Sequence, residues 1–302
     1  MITLERIADV RARCDEARRA GKTVGLVPTM GYFHEGHLSL MRTARASHDL
    51  VVVSLFVNPT QFGPGEDLDA YPRDPEGDAR AAEAAGVDVL FTPSVDEMYP
   101  RPPLTTVTVA GISDGLCGAS RPHHFGGVAT VVTKLFSIIG PCTAYFGKKD
   151  FQQLVVVQRL VADLDLPVSV IGVATARELD GLAMSSRNAY LASDERQAAT
   201  VLFRALEGAL KTVMSGERDP VRIREAAVDL VAGEPLVRLE YAEVVRANDL
   251  APVGRIEEGI GHVIALAAVV GSTRLIDNAT FAVDGRNVTL DLQGFGRTHR
   301  ET

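Results

Sequence analysis

From Thr23 to Val173 the chain alternates short apolar runs with longer stretches whose apolar residues recur every three or four positions. The runs Thr23–Val27, Leu50–Phe56, Val89–Thr92, Ala144–Phe146 and Val168–Val173 have the length and residue types of strands. Residues 36–48, 75–86, 126–139 and 149–163 carry helical spacing. This alternation predicts an α/β protein whose N-terminal domain is a Rossmann-like, doubly wound parallel sheet, with ligands at the carboxyl ends of its strands. Further on the pattern changes. Helices are expected near 194–214, with Ser193 as cap, and near 219–232, before Val237–Val245 and Gly261–Asp277 alternate like antiparallel strands. The division is therefore drawn between a Rossmann-like domain at 1–184 and a smaller α+β C-terminal lid domain at 185–302. The polar tail from Asp284 to Thr302 is expected to be partly disordered.

Composition narrows the class. A chain of 302 residues, 46% of them hydrophobic, can bury a sizeable core, and a formal net charge of −8 argues against nucleic acid as partner. Its longest apolar runs, such as Val51–Val57 and Val263–Val270, fall well short of a membrane span of roughly 20 residues. Met1-Ile-Thr-Leu-Glu-Arg does not read as an export signal, so a cytoplasmic location is expected. Cys14, Cys117 and Cys142 show neither metal nor disulfide spacing and read as reduced, structural thiols.

Candidate chemistry gathers after the expected strands. Val27-Pro-Thr-Met-Gly-Tyr-Phe-His-Glu-Gly-His37 passes from a strand through a turn into a helix, which puts His34 and His37 at a helix N-terminus. Free backbone N–H groups and the helix dipole favour phosphate there, and Gly36 permits close approach of a ligand. Two imidazoles three residues apart face one side, so both can donate Nε2–H bonds to phosphate oxygens that gain charge. Alone, a His-x-x-His pair is more often a half-buried helix face or an adventitious metal pair. A zinc protein built on His34, Glu35 and His37 stays open as an alternative, although the second histidine comes one residue too early for His-Glu-x-x-His.

Three further segments carry suitable groups. Phe56-Val-Asn-Pro-Thr-Gln61-Phe62 ends a strand in a turn and sends Gln61 out on a loop, where a primary amide can donate to and accept from a small hydroxy acid. In Ala144-Tyr-Phe-Gly147-Lys-Lys-Asp150 a lysine can meet phosphate and an aspartate can accept from ribose hydroxyls, although most such charged turns are merely solvated. Met184-Ser-Ser-Arg187-Asn188 offers two hydroxyls and a guanidinium to β- and γ-phosphates. The glycine-bounded loop Leu116–Gly127 contains Arg121 and His124, and His48, His262 and His299 have no sequence neighbours that would make them candidates.

His34-Glu-Gly-His37 in its Pro28-Thr-Met-Gly frame resembles the HxGH signature of adenylyl-transferring enzymes. Together with Phe56–Phe62, Asp67-Leu-Asp-Ala-Tyr-Pro-Arg73, Tyr145–Gln153 and Asp180-Gly-Leu-Ala-Met-Ser-Ser-Arg-Asn188 in that order, the chain resembles the pantoate–β-alanine ligase family over most of residues 24–190. Leu239–Val244 and Thr273–Asn278 extend the likeness. The resemblance implies an ATP site of Pro28, Thr29, Met30, Gly31, His34, Gly36, His37, Gly147, Lys149, Asp150, Ala176, Met184, Ser185, Ser186 and Arg187. Within it, Gly147 and Asp150 would hold ribose, Lys149 the phosphates, and Ala176 the adenine side. It implies catalysis by His37, His34, Lys149 and Arg187, pantoate binding by Gln61 and Gln153, and a β-alanine site bordered by Gln61. Asn58 and Tyr71 would line the same cavity, and Arg121 would anchor pantoate or a dimer contact. Two positions depart from the family pattern: Lys148 replaces a usual acid or amide, and His123 a usual glycine.

The implied reaction is ATP-dependent condensation of pantoate with β-alanine through pantoyl adenylate, with AMP and pyrophosphate released. Mg²⁺ would ride on the phosphates with no confident protein side-chain ligand, and the protein would be a homodimer joined through its N-terminal domain. A different adenylylating ligase and a nucleotide-binding regulator without turnover are the other readings.

Overall fold

The structure, a computed structural model, describes residues 1–292. Its elements are β1 (Ile2–Leu4), α1 (Ile7–Arg19), β2 (Val24–Thr29), α2 (Glu35–Ser47), β3 (Leu50–Leu55), α3 (Pro75–Ala84), β4 (Val89–Phe91), α4 (Val95–Met98), α5 (Cys117–Ser120), α6 (His124–Ile139), β5 (Cys142–Gly147), α7 (Phe151–Asp163) and β6 (Val168–Val173). There follow α8 (Ser193–Ala198), α9 (Val201–Met214), α10 (Pro220–Ala232), β7 (Val237–Arg246), β8 (Gly261–Val270), β9 (Thr273–Asp284) and β10 (Asn287–Asp291). Two compact units result, one of Met1–Lys148 with Val156–Val173, the other of Lys149–Val155 with the described residues from Ala174 on. Residues 149–155 and 174–184, which the sequence assigns to the first domain, thus fall in the second unit.

In the first unit six parallel strands run in the order β1-β4-β3-β2-β5-β6. The chain winds outward from β2 through β3 to β4, then returns to β5 and β6 on the other side of β2. That reversal is where doubly wound sheets hold ligands, because loops from the neighbouring strands diverge there. Leu50, Val51, Val52 and Val53 of β3 are all buried, as expected for a strand covered on both faces. Helix α2 packs Leu40, Met41 and Ala44 into one cluster with Val27, Val51, Val53 and with Ala82 of α3. The sequence pattern misses β1 and α1. Three mostly exposed residues on β4 leave no periodic trace in β1, and α1 buries little beyond Val10, Cys14 and Ala17.

In the second unit an antiparallel sheet, β10-β9-β8-β7, packs on α9 and α10. Leu202, Leu206, Leu210 and Val213 on one stripe of α9 share a core with Ile264, Leu266, Leu275 and Phe281. Three expectations are corrected here. The helix expected at 194–214 is broken into α8 and α9, and the cap of α8 is Ala192, not Ser193. The Ala192 N–H donates to the Glu195 carboxylate at 2.9 Å, so the acid three residues on satisfies the amide without a capping hydroxyl. The tail is ordered through β10, which pairs with β9 from Asn287↔Asp284 to Asp291↔Thr280 and packs Val288 and Leu290 against the core. The rest of that expected tail, with His299, lies outside the described residues.

Candidate active site

In the first unit, β2 delivers Pro28 and Thr29 to the carboxyl edge, and Met30–Phe33 turn the chain into α2. The turn is left-handed at Gly31 (φ 85°) and Tyr32 (φ 53°). A Cβ at Gly31 would stand 2.9 Å from Asp78 Oδ2, so glycine serves both the dihedral and the close approach. Asp78, buried in the first turn of α3, accepts the N–H of Tyr32 at 2.8 Å and of Phe33 at 2.6 Å. Burial pushes its carboxyl above the usual range; those two amides oppose the shift and the Asp74 charge adds to it.

His34 is the N-cap of α2, as the sequence places it. Its Nδ1 accepts the Gly36 N–H at 3.1 Å, and His37 Nδ1 accepts the His34 N–H at 3.4 Å. A ring nitrogen that accepts an amide carries no proton, so the neutral form of each imidazole has its hydrogen on Nε2. The two ring centroids are 4.2 Å apart. Glu35 instead pairs with Arg42 on the exposed side, its Oε2 3.4 Å from Nη2, and the zinc alternative loses its third ligand.

Gln61 is not on an open loop. It closes a 3-10 turn, Pro59–Gln61, and is buried. Its Nε2 lies 3.1 Å from Met30 Sδ, which brings it to the histidine-bearing loop. Asn58 is wholly enclosed: its Oδ1 accepts from Thr60 Oγ1 at 3.0 Å and Tyr99 OH at 2.9 Å, while its Nδ2 donates to Gln61 Oε1 and Gly127 O. The asparagine therefore shapes the turn that holds Gln61. Tyr71 is likewise buried, edge-on to Phe62. From the loop before α6, Arg121 Nη2 donates to Gln61 O at 3.3 Å, and Nδ1 of His124, the first residue of α6, meets the same oxygen at 2.9 Å. Arg121 also pairs with Glu66, Nε to Oε1 at 2.8 Å, and that bond holds the Glu66 carboxyl below its ordinary range. Gly147 ends β5, the strand beside β2 across the winding reversal.

The second unit carries the other candidates. Lys149 is half-buried and its carbonyl accepts Asn278 Nδ2 at 2.8 Å; Asp150 is exposed and Gln153 half-buried. Ala176 and Met184 meet, the Met184 N–H donating to Ala176 O at 3.0 Å. Ser185 Oγ caps the 3-10 turn Ser186–Tyr190 by accepting the Arg187 N–H at 3.3 Å. This hairpin is tied to β9 by Arg177, whose Nη1 and Nη2 donate to Asp277 at 2.6 and 2.8 Å, with Nη1 also 3.0 Å from Gly181 O. The sequence reading names neither Asp78 nor the Arg177–Asp277 pair as site residues. Asp277 and Asn278 stand in the quoted Thr273–Asn278 segment, which is the signal that could have pointed to them.

A doubly wound sheet with paired histidines capping the helix at its winding reversal defines a nucleotide-binding class of α/β proteins. The pantoate-beta-alanine ligase family model matches residues 2–280. The chain is 54% identical over 284 residues to the pantothenate synthetase of Heliobacterium modesticaldum, spanning 94% of this chain and 100% of that protein. The crystal structure of pantothenate synthetase from Thermus thermophilus superposes with a TM-score of 0.86 at 45% identity, over 92% of this chain and 98% of that one. Pantoate-beta-alanine ligase from Francisella tularensis, complexed with beta-gamma ATP and beta-alanine, gives 0.75 at 32% identity, over 92% and 97%. The chain belongs to the pantoate–β-alanine ligase family, which condenses pantoate and β-alanine.

Proposed function

We propose that this chain joins pantoate to β-alanine with ATP through pantoyl adenylate, releasing pyrophosphate and then AMP. The observation that carries the reading is the anchoring of both histidines through Nδ1 at the N-terminus of α2, in a chain whose full-length relatives are pantothenate synthetases. The ATP and β-alanine named for the Francisella tularensis ligase support those two as ligands here.

In the first step a pantoate carboxylate oxygen attacks the α-phosphorus of ATP, and the bond to the bridging oxygen breaks as pyrophosphate leaves. The carboxylate is already ionised at pH 7, so no protein nucleophile is required. Protein groups supply orientation and charge compensation. His37, with His34 beside it, donates Nε2–H to the α-phosphate; Lys149, Ser185, Ser186 and Arg187 meet the phosphates that leave. Gln61 and Gln153 hold pantoate. In the second step the β-alanine amine, its ammonium proton released to solvent, attacks the acyl carbon; the bond from that carbon to the phosphoryl oxygen breaks, AMP leaves with the electron pair, and the nitrogen releases a second proton to solvent as the amide forms.

Magnesium prefers oxygen ligands and keeps waters. It would be held largely by the phosphates of ATP, where it would offset their charge. A homodimer and a cytoplasmic location complete the proposal. Three cysteines without disulfides among the described residues suit a reducing compartment.

The test is product analysis with ATP, Mg²⁺, pantoate and β-alanine, each omitted in turn, and light scattering for the dimer. Pantoate-dependent exchange of pyrophosphate into ATP without β-alanine is expected; ADP in place of AMP, or no exchange, overturns the proposal.

A further inference from the structure

We propose, resting on the reading above, that Asp78 is a positioning residue for the adenylation step: its carboxylate holds the backbone from which His34 and His37 project. Two consecutive amides, Tyr32 N–H at 2.8 Å and Phe33 N–H at 2.6 Å, converge on its two oxygens. These amides belong to the left-handed turn directly before the N-cap, where Tyr32 adopts a φ of 53° without being glycine. Such a conformation persists only where its surroundings specify it. The Asp78 carboxylate is the specifying group.

Its own position is rigid. Asp74 caps α3 by accepting the Gly77 N–H at 3.0 Å, and the Asp78 N–H donates to Asp74 O at 2.8 Å. Ala82 of α3 and Leu40, Met41 and Ala44 of α2 share one core cluster. The helix that bears the histidines and the helix that bears the carboxylate are therefore fixed to the same packing, and the loop between β2 and α2 is clamped across them. Hydrogen bonds to charged acceptors are the stronger ones, and they suit a clamp on donors whose misplacement by 1 Å can cost a rate factor on the order of 10².

Asp78→Ala and Asp78→Asn test this by three measurements on folded protein: pantoate-dependent pyrophosphate exchange, pantoate KM, and amide formation from supplied pantoyl adenylate and β-alanine. Wild-type protein lacking exchange would refute the proposed function itself. Given an active wild type, exchange kcat is expected to fall about 10²-fold in Asp78→Ala. Asp78→Asn, which keeps one acceptor oxygen, should fall less. Pantoate KM and amide formation should stay within about threefold of wild type, because the ground-state and acyl-transfer contacts are unchanged. Wild-type exchange in a folded variant, or equal loss of both half-reactions, overturns the assignment. Should Asp78→Ala not fold, Asp78→Asn carries the test alone. The same selective loss, smaller in size, is expected there, and its absence overturns the proposal equally.

Discussion

The His34 N–H donates to Nδ1 of His37 at 3.4 Å, so the backbone of one histidine sets the tautomer of the other. The hydrogen of neutral His37 is thereby placed on Nε2, the nitrogen proposed to face the α-phosphate. His37→Ala is expected to lower pantoate-dependent pyrophosphate exchange by about 10² or more while leaving folding nearly unchanged. His37→Gln should retain more activity than His37→Asn, because the longer amide reaches the Nε2 position and the shorter one only that of Nδ1. An unaltered exchange rate in folded His37→Ala would remove this histidine from the chemistry.

Gly127 lets α6 approach the turn that carries Gln61. A Cβ at residue 127 would stand 2.2 Å from Thr60 O and 2.6 Å from Gln61 Cα, and both are backbone atoms that cannot swing aside. Gly127→Ala should therefore shift Gln61 and raise the KM for pantoate more than that for ATP. Steady-state kinetics with each substrate varied check this, and equal KM changes would count against Gln61 as a pantoate ligand.

In the second unit the Arg177 and Asp277 side chains are only 5% and 2% exposed and join through two hydrogen bonds. Removing one member of such a pair leaves a buried charge uncompensated, a loss of about 3–5 kcal/mol. Asp277→Ala and Arg177→Ala should each lower the urea midpoint of the second unit accordingly. A double variant should lose less than the sum of the two.

His262 on β8 is buried and stacks against Phe281, ring centroids 5.4 Å apart. Burial is the chief cause that holds its pKa below the ordinary value; a hydrogen bond to the Ile260 backbone and the Glu257 charge oppose the shift, and the Arg246 charge adds to it. A histidine depressed in the folded state binds its proton first in the unfolded chain. Stability is therefore independent of this group above the unfolded value of about 6.5 and declines as pH falls from there toward the folded pKa, by up to about 1.4 kcal/mol per pH unit. His262→Phe should flatten that part of the stability profile in urea titrations between pH 7 and 5. An unchanged slope would show that other groups carry it.

Much of the first unit was legible because its strands are buried on both faces and its helices on one. The β3 run, from Leu50, is continuous for that reason, and α2 shows Leu40, Met41 and Ala44 at helical spacing. β1 and β10 were not legible, since edge strands with one exposed side resemble polar chain until a partner supplies their hydrogen bonds. The break between α8 and α9 was equally hidden. The helical pattern runs through it, and the Ala192 cap depends on a carboxylate folding back rather than on a hydroxyl at the expected place.

His34 and His37 could be set at a helix start from the chain alone, because strand, turn and helix follow one another within a dozen residues and apolar periodicity is a local property. What holds that turn could not. The acceptor for the amides of Tyr32 and Phe33 is Asp78, more than forty residues away, and the carbonyl of Gln61 is held by Arg121 and His124, sixty or more residues distant. A buried N–H or C=O requires a partner without naming it. Only the packing of α3 and α6 onto the sheet decided which side chains arrived within reach.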